Sequence, residues 1–581
     1  MASVLPLPVR SDGPKQAATA HDPAGVNGHQ EAHRDDDLDV LPCCPSDREK
    51  QLFIGRRLSP LIAASLVSFS GLFLSQVTFA SQSAYLWVFF PLIVFTLLYY
   101  VIGLAVAAGT RDFDPEEHER LVGSWAPNSY PSIDIFLPVC GEPVDVIRNA
   151  WDYIRRLNYP GELTFYCLDD GADPALVRMC EEFGFRYLSR PDRGVMKKAG
   201  NLKYGFERSR GDLVVIFDAD FCPRADMLIE LVPYFDAHPR LGILQTPQHF
   251  RVLRSQGWLE RGAGAVQEFF YRAVQVSRNH HDGAICVGTN AVYRRKALAA
   301  TGGPTQIGHS EDVHTGFDVR RAGWDLQYVP IIFAIGICPA QLSSFLAQQY
   351  RWCLGSMSLL GSRKFWSTPM RLRTRLCYLS GFTYYVHTAL FTFVLPVVPI
   401  VLLLFLPELI ELENYAFIAP SILYNFAILR IWHRQTYGLD ALAVRLVYGW
   451  AHVFAILDIL RRREKGWLPT GGEAAKSSVL HTQFQQGFLV WGGGTASLWV
   501  CAAGWGVVTL DWIDYGPILL SGLLYTAIYI KAALPTAPAL RARASERTLR
   551  CFPQERLAAV RACSEREGAP RRGDELRAAA G

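Results

Sequence analysis

Apolar and polar positions divide the chain into three kinds of text. Leu58 to Ala80 and Tyr85 to Gly109 are uncharged apolar runs, each long enough to cross a hydrocarbon core and joined by a short polar turn. From Ser132 to Cys338 the pattern changes to short β-rich runs alternating with amphipathic stretches of helical length. These are Ile133 to Leu137, Val144 to Leu157, Leu163 to Leu168, Pro174 to Phe183, Lys198 to Ser209 and Leu213 to Phe217. Strands separated by helices predict βαβ units and a mostly parallel sheet covered on both faces. Apolar runs then return at Phe382 to Leu406, Tyr415 to Trp432, Gly487 to Val508 and Ile518 to Leu534, which predicts six spans in all. Leu342 to Leu360 and Ala441 to Leu460 mix apolar and polar residues at helical spacing and read as helices at a membrane interface.

The expected division is therefore a disordered cytoplasmic tail over 1–50, two spans over 51–110 and a cytoplasmic α/β domain over 111–340. Interfacial helices over 341–381, four further spans over 382–535 and an Arg-rich disordered tail over 536–581 complete it. An interfacial helix and a loop occupy 438–480 within the span region. The 1–50 stretch lacks an apolar period and cannot offset its ordering entropy by burial. No signal-peptide pattern opens the chain, so insertion relies on the internal spans. Arg56, Arg57 and Arg111 flank the first two spans, and Arg461, Arg462, Arg463 and Lys465 follow the second interfacial helix. The loop Glu408 to Glu413 is acidic, so positive charge lies on the side of the α/β domain and makes that side cytoplasmic.

Composition changes this picture little. Half of the residues are hydrophobic and the formal charge is +4, which excludes nothing but a strongly basic nucleic-acid binder. The 13 cysteines show no C-x-x-C spacing and read as reduced thiols rather than a zinc module or a disulfide framework. Cys43 and Cys44 read as unmodified thiols, with S-acylation as the alternative. No G-x-G-x-x-G follows the first strand, so a dinucleotide is not indicated.

Candidate chemistry gathers where strands end. Leu213 to Phe217 is a continuous apolar run suited to a doubly covered strand, and it breaks into Asp218 and Asp220. In an extended segment alternate side chains share a side, so the pair could grip one divalent ion or its diphosphate ligand; ordinary turn chemistry is the competing reading. The second strand runs into Asp169, Asp170 and Gly171, carboxylates able to accept from a base or ribose. Lys197 to Asn201 opens a helix with a cation and free N–H groups where a diphosphate could dock. Ser310 is a good N-cap residue, placing Glu311 and Asp312 in a first turn where the helix dipole and any nearby metal would keep Asp312 ionised as a general base; ordinary helix-start chemistry is the competing reading. Gln348, Arg351 and Trp352 share one helical face and offer an amide, a guanidinium and an indole together. The guanidinium suits a diphosphate and the indole suits stacking on a sugar ring; a snorkelling pair at a membrane interface competes.

Asp-Asp-Gly at 169–171, Lys-Ala-Gly-Asn at 198–201, Asp-Ala-Asp at 218–220, Thr-Pro-Gln-His-Phe at 246–250, Ser-Glu-Asp at 310–312 and Gln-x-x-Arg-Trp at 348–352 stand in order. Together they resemble the processive family-2 glycosyltransferases, most closely cellulose synthase catalytic subunits and cellulose synthase-like proteins, over about 130–470. The resemblance implies a GT-A fold, a UDP-sugar donor, a growing polysaccharide chain as acceptor and inverting transfer with Mg²⁺ or Mn²⁺. It assigns Asp169, Asp170, Lys198, Gln348 and Arg351 to the donor side, and Asp218 with Asp220 to the diphosphate and its metal. Asp312 becomes the base on the acceptor hydroxyl, with Trp352, Glu311 and Gly288, Thr289 and Asn290 of CVGTN on the acceptor side. The product it implies is a β-linked glucan, first a β-1,4 glucan from UDP-glucose, passed outward through the membrane helices of a plasma-membrane protein. A mixed-linkage glucan, another UDP-sugar polymer, a single-sugar transfer to a polyprenyl phosphate and a scaffold with a dead transferase domain are the alternatives.

Three departures accompany it. Ser310 stands where the family usually has Thr, and Lys465 to Gly472, KGWLPTGG, only loosely matches the family's gating loop. Neither a cyclic-di-GMP-binding PilZ domain nor a plant-type zinc finger is expected. Membrane lipid is an expected partner, nucleic acid is not, and a homo-oligomer stays open.

Overall fold

The computed structural model describes residues 41–533 apart from 56–57, 254–255, 337 and 463–478. The expected tails over 1–40 and beyond 533, Arg56, Arg57, Arg463, Lys465 and the KGWLPTGG segment lie outside the described residues.

Among the described residues, ten strands form two sheets: β1 Ile133–Val139, β2 Leu163–Asp169, β3 Arg186–Leu188, β4 Leu213–Ile216, β5 Cys222–Pro223, β6 Leu241–Gln245, β7 His249–Phe250, β8 Ala291–Arg294, β9 Asp325–Tyr328 and β10 Ala334–Gly336. The larger sheet has the order β3-β2-β1-β4-β8-β6-β9. All neighbours are parallel except β8, which runs antiparallel to both β4 and β6. This is the mostly parallel α/β sheet that the strand and helix alternation predicts. The apolar runs are continuous because both faces are covered. Ile133, Ile135, Leu137, Val215 and Phe217 pack on one side with Trp151 and Met179, while Phe136, Val214 and Ile216 pack on the other with Leu202 and Tyr293. The helix after β2 shows why it forms locally: Asp173 accepts from the Ala175 N–H at 2.8 Å, Pro174 sits at the first helical position, and Gly184 turns left-handed to end it.

Residues 41–50, expected to belong to the disordered tail, instead pack on the domain. Arg251 bonds Glu49 at 2.6 Å, Arg224 bonds the Pro45 carbonyl at 2.7 Å, Lys50 pairs with Asp226 at 2.9 Å and with Glu230, and Asn149 donates to the Pro42 carbonyl. Their order comes from partners about 100 to 200 residues away, which no local composition reveals.

Among the described residues, five helices are long and apolar enough to cross a membrane: Ser59–Gln82, Ala84–Ala107, Leu372–Phe405, Leu439–Leu460 and Trp512–Ala533. Leu439–Leu460, expected at the interface, is thus one of them and is the most enclosed by its neighbours. Its polar residues misled because their partners are in the protein. Asp440 pairs with Arg261 at 2.8 Å and with Lys531 at 2.7 Å, His452 bonds the Thr388 hydroxyl, and Asp458 accepts from the Tyr350 hydroxyl at 3.0 Å. The stretch expected to span from Tyr415 to Trp432 is divided instead into a 3-10 turn at Leu412–Phe417 and short helical segments interrupted by a π-turn at Tyr424–Ile428. Gly487 to Val508 belongs to a helical run that passes through a π-turn at Phe488–Gly492.

Candidate active site

The cleft lies at the carboxyl ends of β1, β2 and β4, where open α/β sheets hold their ligands. Four non-glycine residues around it, Ala172, Met196, Lys197 and Ser310, take positive φ, as does buried Asn290 beneath it. Such conformations persist only where the surroundings enforce them, and they concentrate at functional loops.

Lys198 is the hub. Its Nζ donates to Asp218 Oδ1 at 2.5 Å and to the Gly288 carbonyl at 3.0 Å, and lies 3.8 Å from Glu311. Burial opposes its charge, but Asp218, Glu311 and Asp312 outweigh that and hold its pKa above the usual lysine value. Four stretches separated in sequence therefore converge on one ammonium. Gly288 has φ +80° and lies against the Asp312 carboxyl; a Cβ there would stand 2.9 Å from Asp312 Oδ2. Asp312 is therefore part of the same cleft.

Asp312 was expected to be held ionised by the helix dipole and by any nearby metal. Burial first, then the Glu311 charge, instead push its pKa up to about 7, and Lys198 and the Val313 N–H only partly counter them. Ser310 is also corrected. It takes the N-cap position with φ 47° and caps nothing; its hydroxyl donates to the Arg351 carbonyl at 3.2 Å. That bond joins the helix Glu311–Arg321 to the helix Leu342–Leu360, which carries Gln348, Arg351 and Trp352. Gly355 permits it, since a Cβ there would lie 2.1 Å from Ser310. Burial holds the Arg351 pKa below its usual value, with Glu311 and Asp218 acting in the opposite sense, so the guanidinium faces these cleft carboxylates. The Gln348 side-chain oxygen is buried with no hydrogen-bond partner among the described residues.

Other expected site residues are engaged inside the fold. Asp169 is fully buried and accepts from the Gly171 and Asp173 N–H groups and from the Tyr187 hydroxyl, so it shapes the loop after β2. Thr289 and Asn290 are also fully buried. Thr289 Oγ1 accepts from the Asp218 N–H at 2.9 Å, and the Asn290 amide donates to the Pro247 carbonyl at 3.2 Å, so of the CVGTN trio only Gly288 borders the Asp312 carboxyl. Asp218 and Asp220 do not sit on an extended strand. The chain turns there, with the Phe221 N–H returning to the Asp218 carbonyl at 3.2 Å. Both side chains stay partly open.

Among the described residues, no group of three or more His, Cys, Asp or Glu side chains is placed to hold a metal ion unaided. Two carboxylates one residue apart nonetheless fit Mg²⁺ or Mn²⁺ chemistry, in which one or two protein carboxylates share the ion with substrate phosphates.

A profile of the glycosyl transferase family group 2 matches residues 213–433. The chain carries a family-2 glycosyltransferase domain. It is similar to cellulose synthase 1 catalytic subunit [UDP-forming] of Komagataeibacter xylinus, 31% identical over 262 residues, which are 44% of this chain and 35% of the relative. A cellulose synthase catalytic subunit [UDP-forming] of Xanthomonas axonopodis pv. citri is 28% identical over 267 residues, 44% of this chain and 36% of the relative. The chain thus spans little more than a third of the length of these relatives. Among solved structures, a mannosyltransferase of Pyrobaculum calidifontis in complex with GDP-Man and Mn²⁺ aligns at TM-score 0.42 and 15% identity, covering 64% of this chain and 98% of that one. The GT-A-like character of the domain rests on its own strand order.

Two residues of the transferase domain, Arg190 and Glu142, escaped sequence reasoning. Arg190 makes a bidentate pair with Asp170 at 2.6 and 2.7 Å, both side chains nearly fully buried, and its other donors reach the Val195 and Lys197 carbonyls. It thereby sets the loop that delivers Lys198. Gly200 of the Lys-Ala-Gly-Asn motif is needed because a Cβ would meet Arg190 Nη1 at 2.3 Å. Glu142, after β1, accepts from the Cys140 N–H at 2.6 Å, and burial with the nearby charges of Asp218 and Asp169 raises its pKa. An Arg-Pro or Gly-Glu-Pro carries no signal alone; each acquires meaning from a partner on another loop.

Proposed function

We propose that this protein is a membrane-embedded, inverting, processive glycosyltransferase that builds a β-linked glucan, first a β-1,4 glucan, from UDP-glucose. The observation that carries the reading is the convergence of Lys198, Asp218, Gly288, Glu311 and Asp312 on one cleft, joined through Ser310 to the helix of Arg351 and Trp352. A one-step enzyme has no need of an indole platform fixed to its base. The names of the UDP-forming relatives supply the donor, and the five apolar helices supply the membrane setting. The cation bias of the flanks supports a cytoplasmic transferase domain, and the plasma membrane is the setting of this reading.

In this reading Asp312 takes the proton of the acceptor hydroxyl as it attacks the anomeric carbon, and its pKa of about 7 suits a base working near neutral pH. Lys198 and Arg351 neutralise charge that develops on the departing diphosphate, where preorganised cations contribute most. Asp218 and Asp220 would hold Mg²⁺ or Mn²⁺, which when bound adds positive charge at that diphosphate. Arg190 and Asp170 position Lys198, and Trp352 stacks the acceptor sugar. The test is incorporation of labelled UDP-glucose, beside UDP-N-acetylglucosamine and GDP-mannose, into insoluble product by the purified protein in liposomes. The product is then digested with endo-β-1,4-glucanase and a mixed-linkage glucanase. Polymer from UDP-glucose that the first enzyme degrades supports the reading; a lipid-linked monosaccharide and no polymer overturns it.

A further inference from the structure

The segment between the Trp352 helix and the 34-residue helix Leu372–Phe405 reads GSRKFWSTPMRLRTR over 361–375, with Arg363, Lys364, Arg371, Arg373 and Arg375 and no acid. Arg371 and Arg373 are exposed, as are Trp366 at 53% and Leu372 at 71%. Cations and large apolar side chains are thus offered together at the foot of a helix apolar enough to span. Behind them lies Arg278, only 4% exposed, whose Nη2 reaches the Ser380 hydroxyl at 3.3 Å and whose Nε has no partner. Gly381 makes room for it, since a Cβ there would stand 2.6 Å from Nη2. Arg320 adds two buried N–H donors without partners and Arg375 adds one. Arg278, from the helix Gln275–His280, and Arg320, from the helix Glu311–Arg321, both act electrostatically on Cys377. Among the described residues no carboxylate pairs with Arg278, Arg320 or Arg375, and Asp282 is taken by exposed Arg371 at 3.0 Å. Orientation of a membrane protein needs only exposed cations; buried guanidinium groups with free N–H donors lack an anion.

We propose that this junction binds the phosphate headgroup of an anionic phospholipid, with Arg371 and Arg373 at its mouth and Arg278, Arg320 and Arg375 behind. Occupancy reaches the transferase cleft. Arg320 lies in the last turn of the helix Glu311–Arg321, whose first turn carries Asp312, and the cationic segment is tied to that helix by Lys364 and Asp318 at 2.9 Å and by the Phe317 and Phe365 rings at 5.9 Å. The headgroup therefore sets the position of Asp312 relative to the sheet.

The full chain is placed in nanodiscs of phosphatidylcholine alone or with phosphatidylglycerol, and retained lipid is counted by native mass spectrometry. The expected result is one or more phosphatidylglycerol molecules retained by the wild type. In Arg371→Gln/Arg373→Gln, retention is about fivefold weaker per charge removed, and Arg371→Lys/Arg373→Lys restores it. Both pairs lie on the surface, so folding is preserved. Equal retention of the two lipids by the wild type, or no difference between the Gln and wild-type forms, overturns the proposal. So does displacement of the lipid by millimolar inorganic phosphate, which would mark a site for the free anion. Sugar transfer in the two nanodiscs gives a second reading: a higher rate with phosphatidylglycerol in the wild type but not in the Gln form is expected, and equal rates overturn the coupling to Asp312.

Discussion

Carboxylates do opposite work in the two halves of this molecule. In the helical half Asp440 and Asp458 are clasps, the first held by Arg261 and Lys531 and the second by the Tyr350 hydroxyl. In the transferase cleft Asp218, Glu311 and Asp312 act on a single lysine, beside Met196, Lys197 and Ser310 in left-handed conformations. Burial first and the Glu311 charge second raise the Asp312 pKa, and perturbed carboxylates of this kind concentrate at functional sites. Asp440 and Asp458 thus keep donors of their own, whereas Asp218 and Glu311 share Lys198.

The largest effect that would break this comparison comes from Asp312→Asn. Loss of a general base is expected to lower transfer by about 10³-fold while UDP affinity, measured by calorimetry, changes little. Survival of activity within about tenfold would put Asp312 among the clasps. Gly355→Ala comes next. A methyl 2.1 Å from Ser310 must separate the Asp312 helix from the Trp352 helix, and overpacking of this kind costs about 1–3 kcal/mol. Sugar transfer should fall by about tenfold or more with the donor site intact, whereas unchanged transfer would mean that the two helices need no fixed relation.

The pH profile sharpens the same point. A base must be deprotonated to act, so with a pKa of about 7 the kcat/KM of transfer rises with pH through neutrality and then levels; activity is lost as pH falls below about 7. A profile flat from pH 5 to 8 would show an Asp312 ionised throughout, as for a carboxylate beside a dominant cation. The smallest effect on chemistry is expected from Asp458→Ala. Leaving the Tyr350 hydroxyl without its acceptor costs about 1–3 kcal/mol and lowers the melting temperature by a few degrees, with transfer per folded molecule nearly unchanged.

The doubly covered strands were legible because Ile133 to Leu137 and Leu213 to Phe217 are continuous apolar runs, and the cleft was legible because its motifs sit where such runs stop. What was not legible depends on partners far away in the chain. Asp169 and Asp170 look alike in sequence, yet one is spent on its own loop and the other on Arg190, 20 residues on. Leu439–Leu460 resembled an interfacial helix because hydropathy counts His452 and Asp458 as wet, while Thr388 and Tyr350 keep them dry. Ser310 has the chemistry of a cap, but its φ of 47° directs its hydroxyl to Arg351.

The central claim is that base and acceptor platform form one chain-elongating site. Its most direct test compares wild type with Trp352→Ala, measuring labelled polymer and free glucose released from UDP-glucose by the same liposomes. Polymer should fall by about 100-fold or more while donor hydrolysis stays within a few-fold, because only elongation needs a sugar stacked on the indole. Equal loss of both, or polymer formed at the wild-type rate, would contradict the account.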